Sequence, residues 1–527
     1  MSGALAFPAR RARRVRTIDG WPSVAAVIAI ASGLAILAIV LGWRGSDLPA
    51  QIFRSDLVRR DGFVIWNSQW FGGHALLGYS VIAPWIGAFT GPLVLGAVSC
   101  VASAVLFERV VRRAFGRVAW LGAVWFAVGV GTNLIVGRTT YALGLAVGLG
   151  AVYLLQRRHV VPAVVCAFLC SLSSPLAGFF LAVLAAAWTI ARRERRIETA
   201  AVIAAALAPI AALAILFPTS GAEPYELWAL LWDLAVCAAI LLALWRYPVA
   251  RWGATLFALA AVGCFLVPSA VGGNVSRLGH DFAGPLLACA LLPRRRVLLA
   301  LVAAPLVIWQ WIPAVDGIAF ARTDPSTRAA YYQPVLGYLE AQHGPIGRVE
   351  IPSTYRHWEA AYVAPQVLLA RGWERQLDIG YNPIFYSEPL TAASYRTWLK
   401  TNGVAFVALP DARLDDSSLA ERALLLSGTP PYLQEVWHDA HWTVWRVQGF
   451  TGLVEGPATL QELEPDRVVL AVQAPGDLVL RVRATSHWDV HGGGCAASTP
   501  DGWTVLRNLP AGTVTLTQSL TGTPCPS

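Results

Sequence analysis

Long apolar runs dominate the first 313 residues of the chain. A run that crosses a hydrocarbon core of about 30 Å needs roughly 20 predominantly apolar residues. Such runs begin near Ser23, Val81, Val118, Thr140, Val160, Pro175, Ala200, Tyr225, Trp252, Asp281 and Val297. The pattern predicts a polytopic α-helical membrane protein with about eleven transmembrane helices over residues 1–313.

The composition agrees with a lipid environment. Of the 527 residues, 56% are hydrophobic and only 14% are charged. The net charge of +9 does not indicate nucleic-acid binding, because the arginines lie in short clusters between apolar runs instead of on one soluble domain. Membrane lipids are therefore the expected surroundings, and no nucleic-acid partner is predicted.

The arginine clusters predict the orientation of the chain. They alternate between successive connections, at residues 10–16, 109–117, 157–158, 192–196, 246–251 and 294–296. The positive-inside rule places these connections in the cytoplasm. We therefore expect a multi-pass protein of the cell membrane with a cytoplasmic N-terminus, an uncleaved signal anchor over residues 1–43 and an extracytoplasmic C-terminal part.

The composition changes near residue 314. Residues 314–451 alternate helical patterns, at 331–342 and 392–402, with strand patterns, at 347–353 and 403–410, and predict an α/β domain. Residues 452–527 read as successive strands separated by glycine- and proline-containing turns, which predicts a β-sandwich. Cys495 and Cys525 are the two cysteines of the outer part, where oxidising conditions permit a disulfide. No metal-ligand spacing is evident.

The first outer connection, residues 44–80, is the longest one within the membrane domain. Phe63, Trp66, Trp70 and Phe71 recur in it at near-helical spacing, which predicts an amphipathic helix at the membrane interface. Two interpretations stay open for these aromatic residues: anchoring in an aromatic belt, or forming a wall for a lipid or a sugar.

Two aspartates of this connection are candidate catalytic groups. Asp47 directly follows the first span, where a carboxylate can meet a lipid-linked substrate and act as a general base. A solvated residue at a helix end is the alternative. Asp56 is the second candidate, although Arg59 and Arg60 follow it at the spacing of ordinary surface ion pairs.

Arg138 and Arg277 are candidate substrate-binding residues because they lie at the outer ends of predicted spans. An embedded charge is expensive there, and a guanidinium suits a pair of phosphate oxygens. Snorkelling to the interface, or pairing with Asp281, is the alternative. His280 is more typical of polar structure than of a base, and the role of Asp233 stays open.

Two outer segments, residues 357–365 and 370–386, are rich in aromatic and charged side chains. Aromatic faces beside carboxylates and arginines suit sugars. A polar network that anchors the outer domain on the membrane domain explains the same composition.

Several motifs together resemble a known family. They are GSDLPAQ, WNSQWFGGHALLGYSVIAP, GRTTYALGLAVGLGAVYLL, SSPLAGFFLAVLAAA and GGNVSR, and they are similar to actinobacterial members of the GT-C membrane glycosyltransferase superfamily and its YfhO-like relatives. The resemblance implies a GT-C-like fold and an acidic base in the first outer loop, at Asp47. The candidate substrate-binding residues on or beside these motifs are His74, Tyr79, Arg138, Asn274, Arg277 and His280.

The sequence departs from the family pattern in two places. Ser46 and Leu48 flank Asp47 where the family commonly has a second acidic residue, and Ser174 stands before Pro175 where a histidine is common. The first departure puts catalytic competence in question, and no histidine role carries over to the second position.

The resemblance implies an inverting glycosyltransferase that uses a polyprenyl-phosphate sugar donor and a cell-envelope glycan or lipid acceptor on the outer face. A transporter or flippase of an envelope precursor, and a catalytically silent scaffold of the same fold, are the alternatives. No resident cofactor is predicted. Assistance by a divalent cation and partnership with other membrane proteins stay open.

Overall fold

The structure, a computed structural model, describes residues 21–218, 221–293, 295–387 and 389–525. The first arginine cluster, residues 10–16, lies outside the described residues, as do Arg294 and the signal-anchor residues before position 21.

From residue 21 to residue 319 the described chain is almost wholly helical. Its elements there are α1 Trp21–Val40, α2 Leu48–Asp61, β1 Trp66–Asn67, β2 His74–Ala75, α3 Ala83–Thr90, α4 Pro92–Phe115, α5 Trp120–Gly129, α6 Gly131–Val136, α7 Thr139–Gln156, α8 Val160–Ser173, α9 Pro175–Ala191, α10 Arg196–Leu216, α11 Leu227–Ala243, α12 Pro248–Leu266, α13 Arg277–Leu291 and α14 Arg296–Ala319.

Five helical stretches among the described residues are long and apolar enough to cross a membrane. They are Pro92–Val136, Thr139–Gln156, Arg193–Leu216, Pro248–Leu266 and Arg296–Ala319. Shorter apolar helices accompany them at Val24–Val40, Val160–Ser173, Pro175–Ala191 and Leu227–Ala243. The chain is thus a helical membrane protein, while the number of eleven spans stays a prediction.

The next part of the chain builds a mixed sheet with helices around it. Its elements are α15 Ala329–Glu340, β3 Arg348–Glu350, α16 Glu359–Tyr362, α17 Arg375–Tyr381, α18 Ala392–Thr401, β4 Val404–Pro410, α19 Leu419–Leu426, β5 Leu433–His438 and β6 Trp442–Val447. The strand order is β3-β4-β6-β5. Strand β3 runs parallel to β4, and the other pairs are antiparallel. The helices and strands predicted here are present.

The last part forms two antiparallel sheets that share one apolar core. Its strands are β7 Val454–Glu455, β8 Ala458–Leu463, β9 Arg467–Val472, β10 Gly476–Arg483, β11 Trp488–His491, β12 Cys495–Ser498, β13 Trp503–Leu509 and β14 Gly512–Gln518. The sheet orders are β12-β13-β10-β7 and β11-β14-β9-β8. Leu470 and Leu516 of one sheet meet Leu480 and Leu506 of the other in a single buried cluster, which is the packing of a β-sandwich.

Cys495 and Cys525 are joined by a disulfide, with their Cα atoms 4.9 Å apart. The bond links β12 to the end of the described chain and closes a loop of 30 residues. A loop of this length corresponds to about 3.6 kcal/mol of stabilisation in the chain-entropy account.

The disulfide allows a test of which side of the membrane holds the sandwich. The sequence has eight cysteines, of which six are free thiols in helices. If the sandwich lies outside the cytoplasm, protein extracted from its native membrane and denatured should react with six maleimides before reduction and eight after it. Mass spectrometry counts the adducts. Eight adducts without a reductant would contradict an extracytoplasmic sandwich.

The prediction of an amphipathic helix over residues 63–71 is wrong. The helix of the first outer connection is α2, and the aromatic stretch after it forms an irregular loop with the short β1–β2 pair. Gly72 and Gly73 adopt positive φ angles of 75° and 128°, which a helix does not accommodate. Trp70 is fully buried and stacks on Phe53 of α2 with ring centroids 4.2 Å apart. Trp66, Trp70 and Phe71 are thus buried in protein, whereas Phe63 is exposed.

Candidate functional site

Asp47 lies where the first outer connection meets the turn between α6 and α7. Its backbone nitrogen donates to the carbonyl of Val136 at 3.0 Å. The approach is so close that a Cβ on Gly45 would lie 2.6 Å from the Val136 Cα, and one on Gly137 would lie 2.3 Å from the backbone nitrogen that follows Asp47. Two glycines thereby bring Asp47 beside Arg138, the residue that precedes α7.

Two guanidinium groups converge on one carboxylate oxygen of Asp47. Arg138 Nε lies 3.3 Å from Asp47 Oδ2, and Arg277 Nη2 lies 3.8 Å from the same atom. All three side chains are only partly buried. One carboxylate faces two cations, so the trio has an excess positive charge and is suited to a second anion.

The same Nη2 atom of Arg277 donates to Asn274 Oδ1 at 2.6 Å. Its guanidinium also lies 5.7 Å from the centre of the Tyr141 ring. Asp281, one turn further along α13, accepts instead from the Tyr141 hydroxyl at 2.9 Å and from Asn133 Nδ2 at 3.1 Å. Among the described ion pairs, Arg277 therefore joins Asp47 and not Asp281.

Asp233 and His280 lie in the packing beneath this trio. Asp233 accepts from the Tyr225 hydroxyl at 2.6 Å and from the Ser276 hydroxyl at 2.5 Å. His280 packs its ring on Trp309, with centroids 4.2 Å apart. Through these contacts, the buried polar side chains of Asp233 and His280 stabilise the start of α13.

Glu223 is a further carboxylate near the trio that the sequence patterns did not single out. It lies in the loop between α10 and α11, which hydrogen-bonds to the turn before Arg277 through Gly273 N and Pro224 O at 3.2 Å. Burial raises the pKa of Glu223, although the nearby Arg375 and Arg277 act in the opposite direction. The sequence feature that could have identified Glu223 is its position, a carboxylate in a short loop between two apolar runs.

The part of the chain after residue 319 packs directly against the segment that carries Asp47. Trp373 Nε1 donates to the carbonyl of Ser46 at 2.6 Å. The Trp373 ring stacks on His357 with centroids 3.4 Å apart and an angle of 7° between the planes. Arg375 Nη2 lies 3.0 Å from Asp415 Oδ2. The segments rich in aromatic and charged residues therefore form a polar network at the junction with the membrane part.

A second junction lies on α2, around Arg54. Arg54 Nη2 is 2.5 Å from Glu374 Oε2, and its guanidinium lies 4.0 Å from the centre of the Tyr79 ring. His74 stacks on Trp70 at 5.6 Å, and burial together with Arg54 lowers the pKa of His74 to about 3. His74 and Tyr79 thus belong to this junction and not to the Asp47 trio.

Asp56 lies apart from both groups. Its Oδ1 pairs with Arg59 Nη2 at 2.8 Å on the exposed side of α2. Because α2 runs unbroken from Leu48 to Asp61, the two aspartates do not form a carboxylate pair. The described residues contain no group of three or more His, Cys, Asp or Glu side chains arranged to hold a metal ion.

His357 makes the junction sensitive to pH. Its Nε2 lies 3.5 Å from Asp415 Oδ2 and its Nδ1 lies 3.6 Å from Glu359 Oε1. Burial by itself would lower the pKa of His357, but the two carboxylates outweigh it and the pKa is raised. The interaction therefore stabilises the fold fully below the unfolded pKa of about 6.5 and is lost as pH rises through the folded pKa.

We therefore expect the gap in thermal midpoint between the wild-type protein and His357→Gln to be widest at mildly acid pH and to narrow as pH rises. Thermal melts of the purified protein between pH 5 and about 9 measure it. His438→Gln, at an exposed histidine of β5, is the matched control. A gap that widens toward alkaline pH would contradict a charged His357.

The fold and this cluster define a helical membrane protein that bears a mixed sheet, a β-sandwich and a carboxylate–guanidinium trio at their junction. The sequence matches no protein-family model and no curated protein. Among solved structures it is similar to arabinofuranosyltransferase AftD from Mycobacteria, with 13% identity and a TM-score of 0.39 over 93% of this chain. The chain spans 59% of the length of that protein. A likeness of this degree implies neither the fold nor the activity of this chain.

Proposed function

We propose that the chain is a membrane glycosyltransferase that moves a sugar from a polyprenyl-phosphate donor to a cell-envelope glycan or lipid acceptor on the outer face. The observation that carries the proposal is the convergence of Arg138 and Arg277 on Asp47 at the ends of apolar helices. A lipid-linked phosphate presents its anion at this depth, while its polyprenyl chain stays in the membrane.

The donor phosphate competes with Asp47 for the two guanidiniums. In the structure Asp47 Oδ2 faces both arginines, so the two cations already engage the carboxylate. A phosphate that takes over Arg138 and Arg277 frees the carboxylate for an acceptor hydroxyl. Donor binding thereby makes the Asp47 carboxylate available to the acceptor hydroxyl.

The transfer itself is a single displacement. The acceptor oxygen attacks the anomeric carbon, the bond from that carbon to the phosphate oxygen breaks, and the configuration inverts. The proton of the acceptor hydroxyl passes to Asp47. The leaving lipid phosphate keeps the bonding electrons, and its charge is neutralised by Arg138 and Arg277.

The experiment that tests this is a transfer assay with the full-length protein in lipid nanodiscs. Radiolabelled polyprenyl-phosphate sugars are offered with an envelope glycan acceptor, with and without a chelator of divalent ions. We expect labelled acceptor and free polyprenyl phosphate in equal amounts. Movement of the intact lipid-linked sugar across vesicles, without its cleavage, would overturn the proposal in favour of a transporter.

A further inference from the structure

A cavity of about 550 Å³ lies inside the helical part of the chain. It is lined by α4, α7, α9, α11, α12 and α13, and its walls are mostly apolar, with Phe107, Leu149, Phe180, Leu181, Phe257 and Phe282 among them. Its volume falls within the range of sites that hold small ligands, about 300–1,000 Å³. The residues of the Asp47 trio do not line it.

The cavity extends lengthwise along α7, where its lining residues run from Gly144 to Gln156. Twelve residues of helix span about 18 Å. That length is close to half of the roughly 30 Å hydrocarbon core, which is the depth filled by the chains of one leaflet. A single acyl chain therefore matches the cavity, whereas a long polyprenyl chain exceeds it.

Polar groups are concentrated at the end of the cavity remote from Asp47. Arg113, Arg192, Gln156 and Tyr247 line that end, where α4, α7 and α9 finish and α12 begins. Both arginines are exposed. This end therefore offers two cations directly above an apolar interior.

The two arginines have no carboxylate partner within the described residues. The ion pairs near this end join Glu108 to Arg109 and Arg112, and Glu198 to Arg195, and none of the described pairs involves Arg113 or Arg192. Unpaired guanidiniums at the mouth favour an anionic group, and a phosphate accepts from them in a forked geometry.

We infer that this cavity is a binding site for an anionic phospholipid, with the phosphate between Arg113 and Arg192 and one acyl chain along α7. A soluble anion would not fill the apolar interior, and a neutral lipid would not neutralise the charges of the two arginines. The lipid comes from the leaflet at the arginine-rich end of the helices, which the charge pattern predicts to be cytoplasmic. The site is independent of the transfer chemistry proposed above.

The test compares lipid binding by native mass spectrometry of the delipidated full-length protein, titrated with phosphatidylglycerol, phosphatidylcholine or a polyprenyl phosphate. Gly253→Leu fills the cavity, because a Cβ at this lining position would meet only the Ala187 Cβ, at 4.0 Å. Gly263→Leu, on the same helix with nothing within 4 Å of its Cβ, is the matched control. We expect at least tenfold weaker phosphatidylglycerol binding for Gly253→Leu and unchanged binding for Gly263→Leu.

A second variant tests the head group without altering the interior. Arg113→Gln combined with Arg192→Gln should remove the preference for phosphatidylglycerol over phosphatidylcholine, whereas Arg158→Gln, at an exposed arginine of the same end, should keep it. Equal binding by the two glycine variants would overturn the site. Retention of the polyprenyl phosphate in place of phosphatidylglycerol would overturn the assignment to a phospholipid.

Discussion

Replacing Asp47 by asparagine should lower the rate of sugar transfer by a factor of about 10²–10⁴, the usual contribution of general base catalysis. The amide keeps the shape of the carboxylate but cannot take the proton of the acceptor. Because Arg138 and Arg277 lose the carboxylate that both of them contact, the donor phosphate should bind at least as tightly as it does to the wild-type protein. Turnover and donor affinity are measured separately.

Two further variants distinguish a catalytic role of Asp47 from a general loss of charge. Asp56→Asn removes a carboxylate from the exposed face of α2 and should leave the transfer rate unchanged. Arg277→Ala should weaken donor binding as well as turnover, because the phosphate charge is present before and during the reaction. An Asp47→Asn protein with wild-type turnover would remove Asp47 from the mechanism.

The second large effect is expected at the Arg54 junction, on stability. Glu374→Gln leaves Arg54 buried, with 3% of its side chain exposed, and without its carboxylate. Loss of one partner of a buried ion pair costs about 3–5 kcal/mol. We expect a clearly lower thermal midpoint and faster proteolysis of the outer part.

The double variant Arg54→Met with Glu374→Leu separates charge from packing. Since it leaves no uncompensated ion, it should recover most of the stability that Glu374→Gln loses. Breaking the exposed Asp56–Arg59 pair on the same helix should cost less than about 1 kcal/mol. Equal losses at the two pairs would show that burial does not decide the effect.

The sequence was sufficient to predict elements whose pattern is local. The helix at Ala329–Glu340 and the strand at Val404–Pro410 follow from apolar periodicity within a dozen residues. Arg138 and Arg277 stood out because a charge near the end of an apolar run is expensive. The proximity of each to Asp47 was not predictable, since it depends on a close approach at Gly45 and Gly137.

The aromatic stretch after α2 shows why contacts between distant parts of the chain could not be predicted from the sequence. Spacing identifies an apolar face, but it does not distinguish lipid from a protein surface far away in the chain. Trp66 meets Trp488 of the sandwich at 6.1 Å, a contact that no local pattern encodes. Trp373 was recognised only as part of an aromatic segment, and its hydrogen bond to Ser46 required the packed structure.

The same long-range contacts impose a delay during synthesis. Ser68 is bonded to Pro465, 397 residues later, and Phe71 to Arg483, 412 residues later. At about 5–20 residues per second, the ribosome needs roughly 20–80 s to make the intervening chain. During that interval the loop that carries Ser68 and Phe71 lacks its contacts with Pro465 and Arg483. Docking of this loop on the C-terminal sandwich is therefore among the last events in the maturation of this protein.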